Sequence, residues 1–288
     1  MAFLFYLDQM NYISVNGQLR SSEEPALLAS SRGYRYGDGL FETMKMYKGK
    51  LLLQDLHFER LFKSLYLLKI KIPAFFTTTK LEGHIAELGS KNNCSQLGRV
   101  RLSVSRGNGG LYDEDKSLQY IIECWPLDNT FNQLNVNGLT VDIFPDARKS
   151  CDIFSNLKSS SFQPYSMAAV FAKENKLNDC LVLNSKGNIA DSTTANVFLV
   201  RNDQVITTPL SEGCIDGVMR RYLLDQLQAA GYKVAEAVLK ENDLRKAGEV
   251  FLTNAIKGIR WVQRFRDITY ANNLTTEIYN RFIKTLFD

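Results

Sequence analysis

Lys158 lies in the segment SNLKSSS, among small polar residues. A lysine amine attacks an aldehyde and forms a Schiff base when its surroundings lower its pKa enough to keep it neutral. The neighbours Ser159, Ser160 and Ser161 leave room beside it. A lone lysine in such a segment is more often a solvated surface residue, so the other segments of the chain decide what Lys158 does.

An acidic residue, Asp191, follows the turn SKGN at the end of a predicted strand, and small residues come after it in the segment DSTTA. A carboxylate buried against a pyridine nitrogen keeps that nitrogen protonated, which makes the ring an electron acceptor. The small neighbours would allow a flat ring to approach. The alternative is an aspartate that only caps a turn, which is common.

Two further segments are suited to a phosphate. Asp216–Met219 opens a predicted helix, whose free N–H groups and dipole attract an anion, and Gly217 lets the backbone come close. Thr253–Ala255 follows the predicted strand EVFL and either binds a phosphate or turns the chain. Taken alone, the first segment is an ordinary helix start.

Arginines are the usual partners of substrate carboxylates, because the guanidinium binds both oxygens at once. Arg60 lies on a predicted helix, Arg101 on a predicted strand and Arg106 in the glycine-rich segment SRGNGG. Each is more often a surface charge than a ligand. The two histidines, His57 and His84, have no partner that indicates a catalytic triad or a metal site, so we expect structural roles.

Composition limits the class of protein. The chain has 288 residues, enough for two domains, and its 45% hydrophobic and 23% charged residues are typical of a globular protein. The net charge of +4 has no basic block or aromatic stripe behind it, so we do not expect nucleic-acid binding.

Two further features of the sequence lead to an expectation about the compartment. The five cysteines are odd in number, and none has the CxxC spacing of a zinc site, so we expect no metal, no disulfide framework and a reducing compartment. The opening MAFLFYLDQM is apolar, but Asp8 interrupts it and no basic segment precedes it. We therefore expect neither a signal peptide nor a membrane span, and a cytoplasmic protein.

The first part of the chain predicts a small mixed domain. Alternating apolar residues around Asn16-Gly17 predict a β-hairpin, and the segments GLFETMKMY and GKLLL predict a second one that turns at Lys48-Gly49. QDLHFERLFKSLYLLKI predicts a helix capped by Asp55 and ended by Pro73, and TTTKLEGHIAELGSKNN predicts another that stops near Gly89. RVRLSVSRG and SLQYIIECWPL predict strands.

The second part predicts a larger mixed domain. Strands are expected in TVDIFP, LVLNSKGNI, NVFLVRNDQVITTP and EVFLTNA, and helices in YSMAAVFAKENKL, DGVMRRYLLDQLQAAGYKV and TTEIYNRFIKTLF, the second with Gly231 just past its end. The polar segment LDNTFNQLNVNGL is the predicted linker. We therefore predict an α+β fold with a smaller domain at residues 1–126, a linker at 127–138 and a larger domain at 139–288 that carries Lys158.

The order of these segments resembles a known family. YRYGDGLFETMKMYKGK, HFERL, VRLSVSRGNGG, LKSSS, IADSTTANVFLV, TPLSEGCIDGVMRR and EVFLTNAIKGI are similar to blocks of the class IV aminotransferases, which are pyridoxal-phosphate enzymes of fold type IV. The resemblance implies pyridoxal 5'-phosphate held between two domains, and a homodimer. It implies that Lys158 is the Schiff-base lysine and that Asp191 faces the pyridine nitrogen. It assigns the phosphate to Arg60, Val218, Met219, Asn254 and Ala255.

Some positions depart from the usual pattern of the family. The pyridine partner is usually glutamate, and Asp191 is one methylene shorter, so the ring must sit closer or a water must intervene. Relatives often carry tyrosine or asparagine shortly after the lysine, where this chain has Ser161, Phe162 and Gln163.

The resemblance also implies a substrate site and leaves the reaction open. It places Thr43 near the reacting carbon as a catalytic residue, and the predicted substrate-binding residues are Tyr36, Phe41, Arg101 and Arg106. Thr43, the glycine-rich SRGNGG and the TNA turn resemble the aminodeoxychorismate lyases, which release pyruvate in the formation of 4-aminobenzoate. The alternatives are a branched-chain or D-amino-acid aminotransferase, which also acts on a small amino-acid-like molecule, and an inactive relative that only binds ligands.

Overall fold

The computed structural model describes residues 11–113 and 117–287 of the chain. The apolar opening segment, for which the sequence predicted neither a signal peptide nor a membrane span, lies outside the described residues. Within the described part of the chain, no helix combines the length and the apolar character that crossing a membrane requires.

The first of two compact units runs to Asn129 and also includes Lys158–Ser161. Its elements are β1 (Tyr12–Val15), β2 (Gln18–Ser21), α1 (Arg32–Tyr36), β3 (Gly39–Tyr47), β4 (Lys50–Leu51), α2 (Gln54–Leu67), α3 (Thr78–Lys91), β5 (Leu97–Arg106) and β6 (Leu118–Pro126). The strands form one antiparallel sheet in the order β2-β1-β6-β5-β3-β4. The apolar faces of α2 and α3 contribute buried leucines, among them Leu61, Leu65 and Leu88.

Both predicted hairpins of this unit are confirmed. Asn16 and Gly17 have φ of 50° and 84°, and Lys48 and Gly49 have φ of 47° and 76°. Two successive residues with positive φ give the tight turn whose twist matches that of the flanking strands. The turns connect β1 to β2 and β3 to β4.

The two predicted helices are also present, but their ends differ from the prediction. The residue before the first turn of α2 is Leu53, whose φ is 54°, so the cap predicted at Asp55 is wrong. Asp55 lies inside the first turn, where its carboxylate still favours the positive end of the helix dipole. The helix ends at Leu67, well before Pro73, because Lys69 adopts a φ of 54°. The other helix, α3, runs two residues past Gly89, to Lys91.

The second unit comprises Thr130–Leu157 and the described chain from Phe162 onward. Its elements are β7 (Leu139–Ile143), α4 (Gln163–Glu174), β8 (Asp179–Leu183), β9 (Ile189–Ser192), β10 (Asn196–Arg201), β11 (Gln204–Thr207), α5 (Val218–Ala229), β12 (Lys233–Glu236), α6 (Glu241–Lys246), β13 (Glu249–Asn254), β14 (Gly258–Phe265), β15 (Ile268–Thr269) and α7 (Asn273–Ile278). A π-helical turn at Tyr279–Ile283 and a 3-10 turn at Lys284–Phe287 follow α7, so the predicted closing helix is only partly α-helical.

The strands of the second unit form one mixed sheet. Its order is β12-β11-β10-β13-β14-β7-β8-β9, with β15 paired to β14. Three of the pairs, β11 with β12, β14 with β7 and β7 with β8, are parallel. One antiparallel and one mixed sheet, each with its own helices, confirm the predicted α+β class. Gly231 follows α5 with a φ of 81°, as predicted for a helix end.

The predicted division into residues 1–126, 127–138 and 139–288 stays a prediction. The boundary between the two compact units, at Asn129 and Thr130, falls inside the segment predicted as a linker. This segment is well anchored: Asn135 accepts a hydrogen bond from Trp261 N and donates one to Trp261 O, each at 3.0 Å. Lys158–Ser161 belong to the first unit, whereas the prediction assigned Lys158 to the larger domain, because their backbone pairs with β3.

Candidate active site

Two of the residues predicted to act on the substrate lie at the ring of Phe41 in the first unit, and a third is on the same face of its strand. The guanidinium carbon of Arg101 lies 3.9 Å from the ring centroid, and Lys158 Nζ lies 4.4 Å from it. Thr43 follows Phe41 by two residues on β3, so both point to the same face of the sheet, and its Cα pairs with that of Arg101 on β5. A guanidinium and a primary amine thereby lie at one aromatic ring, and a hydroxyl is on the same face of the sheet.

Backbone pairing explains why Lys158 comes so close to Phe41. Phe41 N donates to Lys158 O at 3.0 Å, and Ser160 N donates to Gly39 O at 2.9 Å. The backbone of this segment therefore pairs along the edge of β3, and the small serines that follow the lysine allow this close approach. The geometry fixes the backbone of Lys158 to the same strand that carries Phe41 and Thr43.

Arg101 is a partly buried cation with a weak counter-charge. Its Nε donates to Ser103 Oγ at 3.1 Å and lies 3.8 Å from a carboxylate oxygen of Glu123. Burial lowers the pKa of Arg101; Glu123 opposes this shift and the like charge of Arg99 adds to it. Burial likewise raises the pKa of Glu123 against the opposing effect of the two arginines. This face of the sheet therefore favours an additional anion.

The opposite face of β3 carries a buried ionic cluster. Glu42 accepts hydrogen bonds from Arg60 Nε at 2.8 Å, from Arg60 Nη2 at 2.5 Å and from His57 Nδ1 at 2.7 Å. Burial alone would raise the pKa of Glu42, but the charge of Arg60 and the contact with His57 outweigh it, and the pKa falls to about 2. Glu42 is therefore ionised and fixes the orientation of Arg60, the residue predicted to bind a phosphate.

His57 was expected to have a structural role, and its placement adds a feature to that expectation. Burial lowers its pKa, with Glu42 opposing and the charges of Arg60 and Lys158 adding to the shift. The neutral ring donates Nδ1–H to Glu42, which leaves Nε2 as an acceptor. Among the described residues, this buried Nε2 has no hydrogen-bond partner.

Two predicted substrate-binding residues lie away from the ring of Phe41. Tyr36 ends α1 and its side chain is exposed. Arg106 donates to Asp38 at 2.9 Å and to the carbonyl oxygens of Leu68 and Lys69 at 2.6 and 3.2 Å. These bonds give Arg106 a structural function, and its role in substrate binding, like that of Tyr36, stays a prediction.

Asp191 is the centre of the second group of predicted residues, in the second unit. Its carboxylate is buried, and its Oδ2 accepts hydrogen bonds from Tyr165 OH at 2.7 Å, Lys149 Nζ at 3.1 Å and Ile215 N at 3.1 Å. Its Oδ1 accepts one from Asn196 Nδ2 at 3.0 Å. The carboxylate is thus held in one orientation, with Oδ1 the oxygen that has acceptor capacity left.

Four of the predicted phosphate residues, Val218, Met219, Asn254 and Ala255, belong to the same unit as Asp191, whereas Arg60 belongs to the first unit. Val218 and Met219 are the first two residues of α5, whose start at Gly217 has no side-chain cap from the described residues. Asn196 Nδ2 also donates to Ile215 O at 2.8 Å, which ties the start of α5 to Asp191. A Cβ on Gly217 would overlap Asn196 Oδ1, so only glycine allows this approach.

The turn after β13 completes this region. Thr253 lies directly opposite Asn196 in the sheet, and its buried Oγ1 has no hydrogen-bond partner within the described ranges 11–113 and 117–287. Asn254 Oδ1 accepts from the backbone N–H of Ile256 and Lys257, at 3.1 and 2.8 Å, so its side chain shapes the turn around Ala255. A free hydroxyl beside an uncapped helix start fits the oxygens of a phosphate.

Several residues of these two groups were missed from the sequence. Lys149, Tyr165 and Asn196 contact Asp191 from three different elements, and no local pattern marks any of them. Glu42 directly precedes Thr43 in the segment FET, where the sequence predicted a role for the threonine alone. The His-x-x-Arg spacing of HFERL, which puts His57 and Arg60 on one side of a helix, is the one signal that would have linked them.

Comparison with known proteins shows the family of this chain. The family model described as "Amino-transferase class IV" matches residues 39–265, which is most of the chain. The chain belongs to the class IV aminotransferase family. It is accordingly a pyridoxal-phosphate-dependent enzyme, an aminotransferase or a lyase, and the predicted family, fold type and cofactor are confirmed.

The relatives of this family member differ in activity. An aminodeoxychorismate lyase of Bacillus subtilis is 27% identical over 90% of this chain and 88% of the relative. A D-alanine aminotransferase of Listeria monocytogenes is 23% identical over 95% of this chain and 96% of the relative. A branched-chain aminotransferase structure from Thermoproteus uzoniensis superposes with a TM-score of 0.85 at 20% identity, and covers 96% of this chain and 95% of its own. The fold is shared, whereas the reaction differs among the relatives.

Proposed function

We propose that this protein is a lyase that acts on 4-amino-4-deoxychorismate, releases pyruvate and leaves 4-aminobenzoate. The observation that carries the proposal is the arrangement around Phe41. There Arg101 and Lys158 lie 3.9 and 4.4 Å from the ring centroid, with Thr43 on the same face of β3. The substrate has a carboxylate on its ring and another on its enolpyruvyl group, so it needs cations beside a surface that accepts a ring.

Charge on this face supports a substrate with more than one carboxylate. Arg99 and Arg101 lie on either side of Val100 on β5, so their side chains share one face of the sheet. Their positive charges repel each other. An anion bound between them would relieve that repulsion. Arg101 is suited to this role because its guanidinium can bind both oxygens of a carboxylate.

The cofactor residues have separate functions in this proposal. When bound, pyridoxal phosphate supplies an aldehyde that condenses with amines and a ring that accepts the electrons of the bond that breaks. Lys158 provides the amine that holds the aldehyde and then moves a proton at the substrate α-carbon. Asp191 holds the proton on the ring nitrogen through Oδ1. The start of α5 and Thr253 bind the phosphate, and Glu42 orients Arg60 for the same task.

Thr43 separates the lyase from an aminotransferase in this proposal. Thr43 lies two positions after Phe41 on β3, so its side chain is on the same face of the sheet. There a hydroxyl can position the leaving group or transfer a proton to it. A branched-chain or D-amino-acid aminotransferase is the second candidate, since the similarity to the D-alanine aminotransferase of Listeria monocytogenes extends over 95% of this chain. The arginine face would also bind the carboxylate of an amino acid.

One experiment decides between the two reactions. The purified holoenzyme is incubated with 4-amino-4-deoxychorismate in the absence of any keto acid that could accept the amino group. The amount of pyruvate formed is then compared with the amount of enzyme. A lyase gives many pyruvate molecules per enzyme and an equal amount of 4-aminobenzoate. In a parallel reaction D-alanine or leucine is supplied with 2-oxoglutarate, and formation of glutamate indicates the aminotransferase.

Variants connect the outcome to the proposed site. Thr43→Val keeps the shape of the side chain and removes the hydroxyl, so we expect a lower kcat for pyruvate release. Arg101→Met should raise KM, whereas Arg20→Met, on β2, should leave both constants unchanged. Turnover that requires an acceptor contradicts the lyase proposal. A holoenzyme that turns over in neither reaction contradicts both candidates. The homodimer and the cytoplasmic location stay predictions.

A further inference from the structure

Lys149 forms a buried ion pair with the carboxylate predicted to face the cofactor ring. Its Nζ lies 3.1 Å from Asp191 Oδ2, and both residues are at least nine-tenths buried. Lys149 N donates to Leu183 O at 2.8 Å, and the residue forms an isolated β-bridge with Asn184. The ammonium is therefore delivered to Asp191 by backbone that is fixed beside the end of β8.

The hydrogen bonds on Asp191 are unevenly distributed between its two oxygens. Oδ2 accepts from Lys149, Tyr165 and the backbone of Ile215, whereas Oδ1 accepts from Asn196 alone among the described residues. A carboxylate offers about two acceptor positions on each oxygen. The remaining capacity lies on Oδ1, so that oxygen is the one able to accept the N–H of a pyridinium.

Among the four described donors, Lys149 is the one that carries a charge. Burial, followed by the charge of Asp191, raises the pKa of Tyr165 well above its usual value, so its hydroxyl stays neutral. The nearby thiol of Cys214 is also neutral, because burial and the charge of Asp191 raise its pKa to about 12. Arg220 and Asp216 act on the same thiol with opposite signs.

The charge of Lys149 bears directly on what Asp191 does for a bound ring. A carboxylate attracts a protonated ring nitrogen, and an ammonium on the same carboxylate repels it and cancels part of that attraction. The pair brings little net charge to the ring. A ring nitrogen held by Asp191 therefore gives up its proton more readily than one held by an isolated carboxylate.

We propose that Lys149 is a positioning residue that turns Asp191 Oδ1 toward the cofactor and weakens its hold on the proton of the ring nitrogen. This inference rests on the proposed role of Asp191 in cofactor binding. In this way Lys149 changes how strongly the ring accepts electrons, although it does not contact the ring. Lys149 thus affects the reaction in addition to forming an ion pair.

The test follows the protonation of the ring nitrogen directly. The holoenzyme is loaded with pyridoxal phosphate labelled with nitrogen-15 in the ring, and the nitrogen chemical shift is followed against pH. We expect the nitrogen of Lys149→Met to keep its proton to a pH at least about one unit higher than in the wild type, a tenfold change in the acid constant. Lys149→Arg, which keeps the charge, should follow the wild type.

A nitrogen that titrates identically in Lys149→Met and in the wild type overturns the inference. If the methionine variant does not fold, the wild type alone still decides. A ring nitrogen that stays fully protonated from about pH 7 to about pH 9 contradicts a weakened hold, whereas a shift that moves over this range supports it. If no protein-bound signal appears, the proposed role of Asp191 in cofactor binding is overturned. That outcome differs from a bound ring nitrogen whose titration does not depend on Lys149.

Discussion

Glu42 and Arg60 form a two-point ion pair in the interior of the first unit. Arg60 Nε lies 2.8 Å from Oε1 and Nη2 lies 2.5 Å from Oε2 of the same carboxylate, which also accepts from His57 Nδ1 at 2.7 Å. His57 and Arg60 are three residues apart on α2, so one carboxylate of β3 orients two side chains of the same helix face. The direction of Arg60 is therefore set by the fold before any ligand binds.

Loss of this carboxylate should destabilise the protein. Glu42→Gln leaves Arg60 buried without its counter-charge, and breaking such a pair costs about 3–5 kcal/mol of the free energy of unfolding. The pKa of Glu42 falls from 4.5 to about 2 on folding, so its contribution is present above pH 4.5 and is lost as the pH falls toward 2. Urea unfolding at several pH values measures both effects.

The matched control for this variant is Glu23→Gln, which alters an exposed glutamate of the same unit. It should change the free energy of unfolding little at any pH. The variant Glu42→Gln should lack the decline below pH 4.5 that we expect for the wild type. An unchanged acid profile in Glu42→Gln would contradict the role given to this ion pair.

Lys45 should make the free energy of unfolding depend on pH in a second, higher range. Its side chain is buried on β3, and burial lowers its pKa from 10.5 to about 7. Between these two values the unfolded chain binds more protons than the folded one, so the free energy of unfolding rises with pH. Lys45→Met should be more stable than the wild type near pH 6, by about 2–5 kcal/mol, and this advantage should shrink toward pH 10.

Chemical denaturation from pH 6 to pH 10 tests this prediction, with Lys50→Met as the control on an exposed lysine of the adjacent strand. The free energy of unfolding of the control variant should vary with pH as that of the wild type does over the whole range. A Lys45→Met protein whose advantage stays constant with pH would show that lost charge is not the cause.

The sequence predicted the fold where the determining signals are local. Asn16-Gly17 and Lys48-Gly49 placed both hairpins correctly, because positive φ at two successive residues is a property of the dipeptide. The end of α2 was misplaced because it depends on a distant residue. Arg106 donates to the carbonyl oxygens of Leu68 and Lys69 just beyond this helix, from 38 and 37 positions along the chain.

The site was predictable to a similar extent. The resemblance supplied Lys158 and Asp191, and the structure places the former beside Phe41 and the latter in a buried hydrogen-bond cluster. The partners of Asp191 could not be predicted, because Lys149 lies 42 residues before it and Tyr165 26 residues before it. The packing of α4 against β8 and the bridge between Lys149 and Asn184 bring these side chains to Asp191.

Gly217 should be required for cofactor binding. A methyl group at this position overlaps Asn196 Oδ1, so Gly217→Ala must displace Asn196 from both Asp191 and Ile215. We expect a loss of about 1–3 kcal/mol in the free energy of unfolding and a dissociation constant for pyridoxal phosphate at least about tenfold higher. Titration of the apoprotein with pyridoxal phosphate, followed by absorbance, measures the second effect.

The control for this variant is Gly248→Ala in the same unit, where the nearest atom to an added Cβ is Val200 O at an ordinary 3.8 Å. Its affinity for pyridoxal phosphate should equal that of the wild type. If Gly217→Ala binds as tightly as this control, the start of α5 does not form the phosphate site.

Borohydride labelling separates the two lysines that could hold the cofactor. Lys149 Nζ is held in a buried ion pair with Asp191, whereas Lys158 Nζ lies beside the ring of Phe41, which is on the same strand as Thr43. A charged ammonium does not attack an aldehyde, so reduction of the holoenzyme should fix the cofactor to Lys158, and peptide mass spectrometry should find it there. Lys158→Ala should abolish covalent labelling, and Lys149→Arg should retain it. Labelling that persists in Lys158→Ala and disappears in Lys149→Arg would move the reactive amine to Lys149 and overturn the assignment of both residues.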